Sequence, residues 1–162
     1  MNLNSRLVAF TAVVSALTAV LSVLSVPFLL GTRVHFFQAG IILAGVVGGP
    51  IGGLIAGSFG GLYVAMSRSD PTIVIGNGLL GLFTGVFSRR FRPVLAGLAA
   101  WTFVQAPWIY LTGTFILRVP TAAMQLVLVL LTVEDLICAS VADVLVNRFH
   151  LRIIFAGEAR RS

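Results

Sequence analysis

The sequence predicts an all-α integral membrane protein, a six-helix bundle with both termini in the cytoplasm. The first reason is composition: 58% of the 162 residues are hydrophobic and only 10% are charged, against about 25% charged residues in soluble domains. The second reason is the length of the uncharged segments, and the third is the glycine and proline residues that separate them. One domain accounts for a chain of this length, so residues 1–162 are predicted to form a single transmembrane domain.

The first predicted helix covers residues 7–30. These 24 residues carry no charge, and as a helix they would be about 36 Å long, enough to cross a hydrocarbon core of about 30 Å. A cleaved signal peptide, the alternative, has an apolar stretch of about 7 to 15 residues before a small-residue cleavage site. Here the apolar run is longer and Pro27 leads into the bulky Phe28, which favours a spanning helix.

Two short helices, about 36–48 and 51–66, are predicted from the next apolar segment. One helix across the whole segment would be about 46 Å long, and Gly48, Gly49 and Pro50 interrupt it. Proline also disfavours helical geometry at the residue before it. The chain is therefore expected to turn at this interruption.

The last three predicted helices cover residues 72–88, 93–117 and 121–146. Pro71 and Pro93 stand where two of them begin, and a proline at a helix start loses no hydrogen bond because the first N–H groups are unpaired anyway. Each segment is long and apolar enough to be a candidate span.

Arginine supplies all 11 basic residues, and arginines in short loops favour the cytoplasmic side. With six spans and a cytoplasmic N-terminus, eight arginines lie inside, and Arg33, Arg68 and Arg118 lie outside. Five spans with the N-terminus outside give the same bias, with Arg6 and Arg33 exchanged. The charge bias leaves both counts open, and the Gly-Gly-Pro interruption favours six.

Catalysis is poorly supported by the residues present. The absence of lysine excludes a Walker-type phosphate loop and a Schiff-base lysine, and the single cysteine, Cys138, excludes an internal disulfide or a Cys-x-x-Cys site. Ser58 has no mid-membrane histidine to activate it, because His35 and His150 are predicted on opposite sides of the membrane. We expect no enzyme activity, no cofactor and no metal site.

Small residues are spaced for close helix contacts. Glycines recur every four residues from Gly45 to Gly61, and the first helix repeats the theme with Ala12 and Ala16. Because helices in lipid associate through small-residue contacts, packing within the protein explains the glycines most simply. The alanine pair is a candidate docking face for a second membrane protein.

Polar side chains within the predicted spans are candidates for a binding site, because lipid disfavours them. Gln105 and Trp108 share one face of the fifth helix with Trp101, and they suggest a ring-stacking platform beside an amide; an interfacial aromatic belt is the plainer interpretation. Glu134 and Asp135 lie at mid-depth in the sixth helix, where a structural pair and a ligand contact are equally acceptable.

The sixth helix also carries a polar stripe. At about 100° per residue, Gln125, Thr132 and Asp143 fall on one side with Asp135 at the edge, while Glu134 faces the opposite way. Asp143 lies near the inner end, where a structural or interfacial role is favoured. The candidate substrate contacts, taken with the outer loops, are Arg33, His35, Gln38, Asn77, Gln105, Trp108, Gln125, Glu134 and Asp135.

The chain resembles the substrate-binding S components of energy-coupling factor (ECF) transporters, small six-helix membrane proteins for vitamins and other micronutrients. The resemblance covers nearly the whole chain. It is carried by Ala12-x-x-x-Ala16, the loop at 31–35, the run LAGVVGGPIGGLIAGSFGGLY at 43–63, the segment GNGLLGLFTGVFSRR at 76–90, and Val133, Glu134, Asp135 and Leu136.

This resemblance implies a binding subunit, without an ATPase motif of its own, of an ECF-type ABC importer in the cell membrane. It would capture a small water-soluble vitamin near the outer face, enclosed by the first and third loops and helices four to six. Ala12 and Ala16 would contact a transmembrane coupling subunit that is driven by two cytoplasmic ATPase subunits. The residues leave the vitamin open. The alternative is a non-transport membrane scaffold or anchoring module without a small-molecule ligand.

Overall fold

A computed structural model of the chain describes residues 5–24, 26–27 and 33–151. In these ranges the chain forms five helices: α1 (Ser5–Val23), α2 (Phe37–Arg68), α3 (Thr72–Phe87), α4 (Pro93–Ile116) and α5 (Thr121–Arg148). Between α1 and α2, the two-residue strand β1 (Val26–Pro27) pairs antiparallel with β2 (Arg33–Val34). The predicted all-α class is confirmed, and this short pairing is the only β-sheet in the described ranges.

The surface of the bundle is apolar. Helices α1, α2 and α4 are long and apolar enough to cross a membrane by length and composition. Large hydrophobic side chains on all three are more than half exposed, among them Val13, Phe59 and Phe103. A continuous exposed apolar surface marks contact with a membrane or another apolar partner, and here it surrounds spanning-length helices.

Helix α1 ends at Val23, earlier than the sequence predicts. Val26 precedes Pro27, and a residue before proline is disfavoured in the helical region, while the proline itself has no N–H to donate. The chain therefore leaves the helix, and Val26 pairs with Val34 in the strand pairing.

Helix α2 breaks at Gly49. This residue has φ 71° and ψ −169°, a backbone conformation that side chains rarely adopt, and Pro50 follows it. The parts before and after the break fold back on each other, because a methyl group placed on Gly53 would lie 2.9 Å from Cα of Gly45. The break lies where the sequence predicts a turn between two short helices.

Helix α3 runs antiparallel to the second part of α2, with backbone against backbone. Gly53 and Gly81 lie so close that a Cβ on either one would overlap the carbonyl group of the other. A Cβ on Gly45 would lie 2.8 Å from the Gly81 carbonyl oxygen. Close approach of this kind is how glycine-rich helices associate in lipid, and it fixes the register of α2 against α3.

Two ends of the bundle follow from these contacts. Gly85 of α3 lies beside Gly49, and Val146 of α5 packs in one cluster with Val46 and Val94. The α2 break, the α3–α4 turn and the end of α5 therefore lie together. We call this the arginine end, because its exposed basic residues are Arg6, Arg89, Arg90, Arg92 and Arg148.

The opposite end contains the start of α2, the α2–α3 turn and the α4–α5 turn, and we call it the loop end. Arg68 and Arg118 are its exposed basic residues in the part of the chain that the structure describes. Its α2–α3 turn is closed by Asp70, whose Oδ1 accepts hydrogen bonds from the backbone N–H (3.0 Å) and the hydroxyl (2.6 Å) of Thr72. This side chain satisfies a free N–H at the start of α3.

Candidate functional site

Two adjacent carboxyl groups in the middle of α5 connect this helix to the start of α2. Glu134 and Asp135 are buried, at 5% and 0% exposure. Glu134 Oε1 accepts a hydrogen bond from the backbone N–H of His35 at 3.2 Å. Asp135 Oδ2 accepts one from Nε2 of Gln38 at 3.3 Å. The structure thus brings four of the predicted site residues together at the junction of α2 and α5.

The buried face of α5 differs from the predicted stripe. Glu134 and Asp135 are both buried, in line with Cys138, whereas Gln125 and Thr132 are exposed. Helix α5 packs against both α2 and α4, and two neighbours cover a wider face than one. Side chains about 100° apart on the helix are therefore both enclosed, which a single-stripe interpretation misses.

A second polar pair joins α3 to α4. Gln105 and Asn77 are buried, at 3% and 5% exposure. Gln105 Nε2 donates to Asn77 Oδ1 at 3.2 Å, and Asn77 Nδ2 donates to the carbonyl oxygen of Ile73 at 2.9 Å. Two predicted site residues from separate helices therefore form one amide pair in the interior.

Trp108 lies next to this amide pair, against the first turns of α3. Its indole Nε1 donates to the carbonyl oxygen of Thr72 at 3.0 Å. Gly76 makes room for the ring, because a methyl group placed on it would lie 2.9 Å from Trp108 Cδ1. The half-buried indole is therefore fixed in orientation at the loop end of α3.

Helix α4 is irregular where these residues lie. The segments Trp101–Gln105 and Thr112–Ile116 are π-helical, and the backbone N–H of Ala106 bonds to the carbonyl of Trp101, five residues back. Pro107, which cannot donate a backbone hydrogen bond, follows the first widened turn by two residues. Such π-turns occur often at functional sites, and this one contains the buried Gln105.

An apolar cluster lies between the carboxyl pair, Glu134 and Asp135, and the amide pair, Asn77 and Gln105. We call it the Phe37 cluster; its buried members are Phe37, Ile41, Val64, Leu80, Ala100 and Trp101. Phe37 is next to Gln38 in the chain, and Trp101 is one turn before Gln105. The Trp101 indole Nε1 also donates to Thr132 Oγ1 at 3.0 Å, which joins α4 to α5 beside the cluster. Sequence reasoning missed Phe37, although an aromatic residue beside a buried amide was a usable signal.

Three buried oxygen atoms around this cluster have no hydrogen-bond partner in the described part of the chain: Oε1 of Gln38, Oε1 of Gln105 and Oδ1 of Asp135. A buried polar atom without a partner costs about 1–3 kcal/mol, so such atoms are rare without a functional reason. All three are oxygens that can accept N–H or O–H donors. The arrangement therefore suits a ligand that carries several donors beside an apolar surface.

Two predicted contacts lie apart from this group. Gln125 is exposed and precedes Glu134 by nine residues, about 14 Å along the helix axis. Its part of α5 packs on the last turns of α4, where Met124 fills the space beside Gly113. The side chain of Arg33 lies outside the described residues, and its backbone belongs to β2.

The predicted docking alanines are on the outside of α1. Ala12 and Ala16 are exposed, while Thr11, Ser15 and Thr18 on the other side of the helix are buried. The buried side faces glycines of α2, since a Cβ on Gly52 would lie 3.2 Å from Thr11 Oγ1. Small side chains on the lipid-facing surface leave room for a second helix to approach.

No group of three or more His, Cys, Asp or Glu side chains is placed to hold a metal ion in the described ranges.

The family described as "ECF-type riboflavin transporter, S component" matches residues 2–156. No curated protein and no solved structure matches the chain significantly.

Proposed function

The chain belongs to the family of ECF-type riboflavin transporter S components, and from this premise we propose that it captures riboflavin on the outer side of the cell membrane for an ECF-type importer. Residues 2–156, nearly the whole chain, match the family. The substrate-binding role follows from membership, and riboflavin replaces the unspecified vitamin of the sequence prediction.

The proposed site lies at the loop end, between the two polar pairs and beside the Phe37 cluster. The observation that carries it is the set of three unpartnered buried oxygens, on Gln38, Gln105 and Asp135. Riboflavin offers a flat aromatic ring system with an imide N–H, and a ribityl chain with several hydroxyl donors. An apolar surface with a few convergent polar groups is typical of small-molecule sites, and these three acceptors match the donors of the vitamin.

Each candidate has a proposed role in this site. Trp108 offers an indole face for stacking on the flat ring, and the Asn77–Gln105 pair lies beside it to read the imide edge. Asp135 and Gln38 are proposed to accept ribityl hydroxyls. His35, whose ring centroid is 6.0 Å from that of Phe37, would close the site from the first loop.

Arg33 and Glu134 complete the proposed loop contribution. Glu134 holds the backbone N–H of His35 at 3.2 Å, so it positions the first loop over the Phe37 cluster. Arg33 precedes His35 by two residues and would reach the ligand from outside. Gln125 lies too far along α5 to join this group, and a contact between it and riboflavin stays a prediction from the sequence.

We propose six spans, counting the two parts of α2 separately, with both termini in the cytoplasm. The fold-back at Gly49 reverses the chain direction within α2, which supports the even count. Five exposed arginines of the described chain lie at the arginine end and two at the loop end. The positive-inside rule favours the arginine end as cytoplasmic, which places the riboflavin site outside.

The partners are proposed from the family: a transmembrane coupling subunit and two cytoplasmic ATPase subunits. Ala12 and Ala16 on the exposed surface of α1 supply a smooth face for the coupling subunit. This face is separate from the riboflavin site, so substrate binding and assembly should be separable by mutation.

Titration of the purified full chain with riboflavin, followed by quenching of flavin fluorescence, tests the proposal. Gln105→Leu removes an unpartnered acceptor and half of the amide pair, so we expect Kd to rise about tenfold or more. The matched control is Thr102→Val, an exposed residue one turn away on α4, which should leave Kd unchanged. Equal Kd values for the two variants would place the site elsewhere, and no riboflavin binding by the unmodified chain would favour a membrane scaffold.

A further inference from the structure

The arginine end contains a recess that the riboflavin site does not use. Its volume is about 520 Å³, and it lies where the α3–α4 turn meets the end of α5, lined by Ser88, Arg89, Arg90, Arg92 and Asn147 among others. This volume is within the range of about 300–1,000 Å³ that small-molecule sites have. The recess is at the opposite end of the bundle from the three unpartnered oxygens, so it requires a separate explanation.

The charge of the recess is strongly one-sided. Three of its lining residues are exposed arginines, and no lining residue is acidic. The carboxyl group of Asp143 lies one turn before Asn147 on α5, and its Oδ2 accepts a hydrogen bond from Nδ2 of Asn147 at 3.0 Å. Asp143 does not line the recess, so the guanidinium groups set the sign of its potential.

The recess also lies at the N-terminus of α4. Pro93, at the first helical position, lines the recess. Arg92 caps the helix with an extended backbone (φ −63°, ψ 155°), and its side chain makes no capping hydrogen bond. A helix N-terminus attracts anions, and arginine binds phosphate through paired N–H···O bonds. Two independent features of the recess thus favour the same ligand chemistry.

We propose that this recess binds a phosphate group, and that its source is the headgroup of an anionic phospholipid. The recess lies at an end of a membrane-spanning bundle, where headgroup phosphates are concentrated, and each arginine near an anionic membrane surface adds to the attraction. A soluble phosphate compound carries the same group and is the second source to be tested. The proposal concerns the arginine end alone and does not depend on which vitamin the loop end binds.

Native mass spectrometry of the purified full chain, exchanged into mixtures of phosphatidylglycerol and phosphatidylcholine, measures the first source. The unmodified chain should retain phosphatidylglycerol preferentially. Arg90→Gln combined with Arg92→Gln should weaken this retention by about tenfold or more. The matched control is Arg68→Gln with Arg148→Gln, which removes the same charge from exposed arginines outside the recess and should change retention less than twofold.

A second pair of variants separates a built site from general attraction of charge. Arg90→Lys with Arg92→Lys keeps the charge but loses the planar two-donor geometry of guanidinium. We expect it to lose most of the preference for phosphatidylglycerol. Full retention by the lysine variant, or equal loss by the control variant, would show that only net charge matters and would overturn the proposal.

Inorganic pyrophosphate, added to the detergent-solubilised chain and followed by a shift in unfolding temperature, tests the soluble source. Stabilisation that disappears in Arg90→Gln/Arg92→Gln, with no lipid preference, would keep the phosphate site and assign it to soluble compounds. If neither lipid nor pyrophosphate responds to these substitutions, no phosphate site exists. If the variant loses only its assembly with the coupling subunit, the recess is a protein contact and the proposal is equally overturned.

Discussion

The two halves of the bundle are built by different means. In α1–α3, glycines bring backbones into contact, as at Gly53 and Gly81, and the larger polar side chains, Gln38 and Asn77, form hydrogen bonds with residues of α5 and α4. In α4 and α5, large side chains meet: Trp101 bonds to Thr132, and Glu134 and Asp135 reach across to α2. Because backbone contacts leave little space between α2 and α3, we propose that recognition falls to α4, α5 and the surfaces that face them.

In this proposal, α1–α3 form a rigid frame, and α4 and α5 contribute most of the ligand recognition. Backbone contacts between glycines leave few alternative arrangements, because any side chain would have to displace a backbone atom. The α4–α5 half tolerates π-turns and buried polar atoms because it packs against a fixed frame.

Replacement of Ala12 and Ala16 together by leucine should abolish copurification with the coupling subunit and its ATPases, because the bulk blocks helix approach on the exposed face of α1. Riboflavin Kd should stay within about twofold, because the face is remote from the α4–α5 half. Ala122→Leu with Ala123→Leu, at exposed alanines of α5, is the control and should leave assembly intact. Normal assembly of the α1 variant would reject the docking face.

Gly53→Ala should lower the free energy of unfolding by about 2–3 kcal/mol, because its Cβ would overlap the Gly81 backbone. Gly97→Ala in α4 is the comparison variant, and it should change the free energy of unfolding little. Its Cβ would meet the side-chain atoms of Ile42 and Ala139 at 3.1 and 3.2 Å, and the gain in helix propensity of about 1 kcal/mol offsets that crowding. Thermal unfolding in detergent compares the two, and equal losses would remove the distinction between the halves.

Gly49→Ala should destabilise the protein by about 1–2 kcal/mol, because φ of 71° is strained for any residue with a Cβ. Space is not the cause, since nothing lies within 4 Å of a Cβ at this position. Gly48→Ala, one residue earlier in a helical conformation, gains helix propensity but places its Cβ 3.0 Å from Thr11 Oγ1, so it should cost less stability than Gly49→Ala. The same unfolding measurement distinguishes the two variants. If Gly49→Ala is as stable as the unmodified chain, the backbone at Gly49 is not strained for a residue with a Cβ.

The smallest expected effect concerns the bond between Trp101 and Thr132 on α4 and α5. Trp101→Phe and Thr132→Val should each lower the free energy of unfolding by about 1 kcal/mol. A double-mutant cycle should give a coupling energy of about 0.5–1.5 kcal/mol. Additive effects would show that the bond does not hold the two helices together.

Much of the fold was predictable because lipid imposes simple rules on sequence. Long uncharged segments predicted the helices, and Gly49 with Pro50 predicted the reversal in α2, where the structure breaks. The resemblance to S components is confirmed by the family match over residues 2–156. The end of α1 was predicted too late, because hydrophobic residues continue past Val23 and the local effect of Pro27 outweighed them.

The sequence identified several polar residues that the structure buries, but it did not predict their arrangement, and their role as a binding site stays a prediction. Polar residues within apolar segments pointed to Gln105, Asn77, Glu134 and Asp135, all of which are buried. Which of them pair depends on how the helices contact each other, which no single-helix pattern contains. Gln125 and Thr132 show this: the helical periodicity placed them on an inward stripe, whereas the structure leaves both exposed and buries Glu134 and Asp135 instead.

The break at Gly49 also sets a depth. The part of α2 before it, residues 37–48, rises only about 18 Å, whereas the hydrocarbon core is about 30 Å thick. With Gly49 near one membrane surface, Gln38 and the mid-helix carboxyl groups that it meets are about 12 Å below the other. In the proposed importer, a vitamin that contacts Gln38 would lie about two fifths of the way through the hydrocarbon core, which would shorten the remaining distance across the membrane.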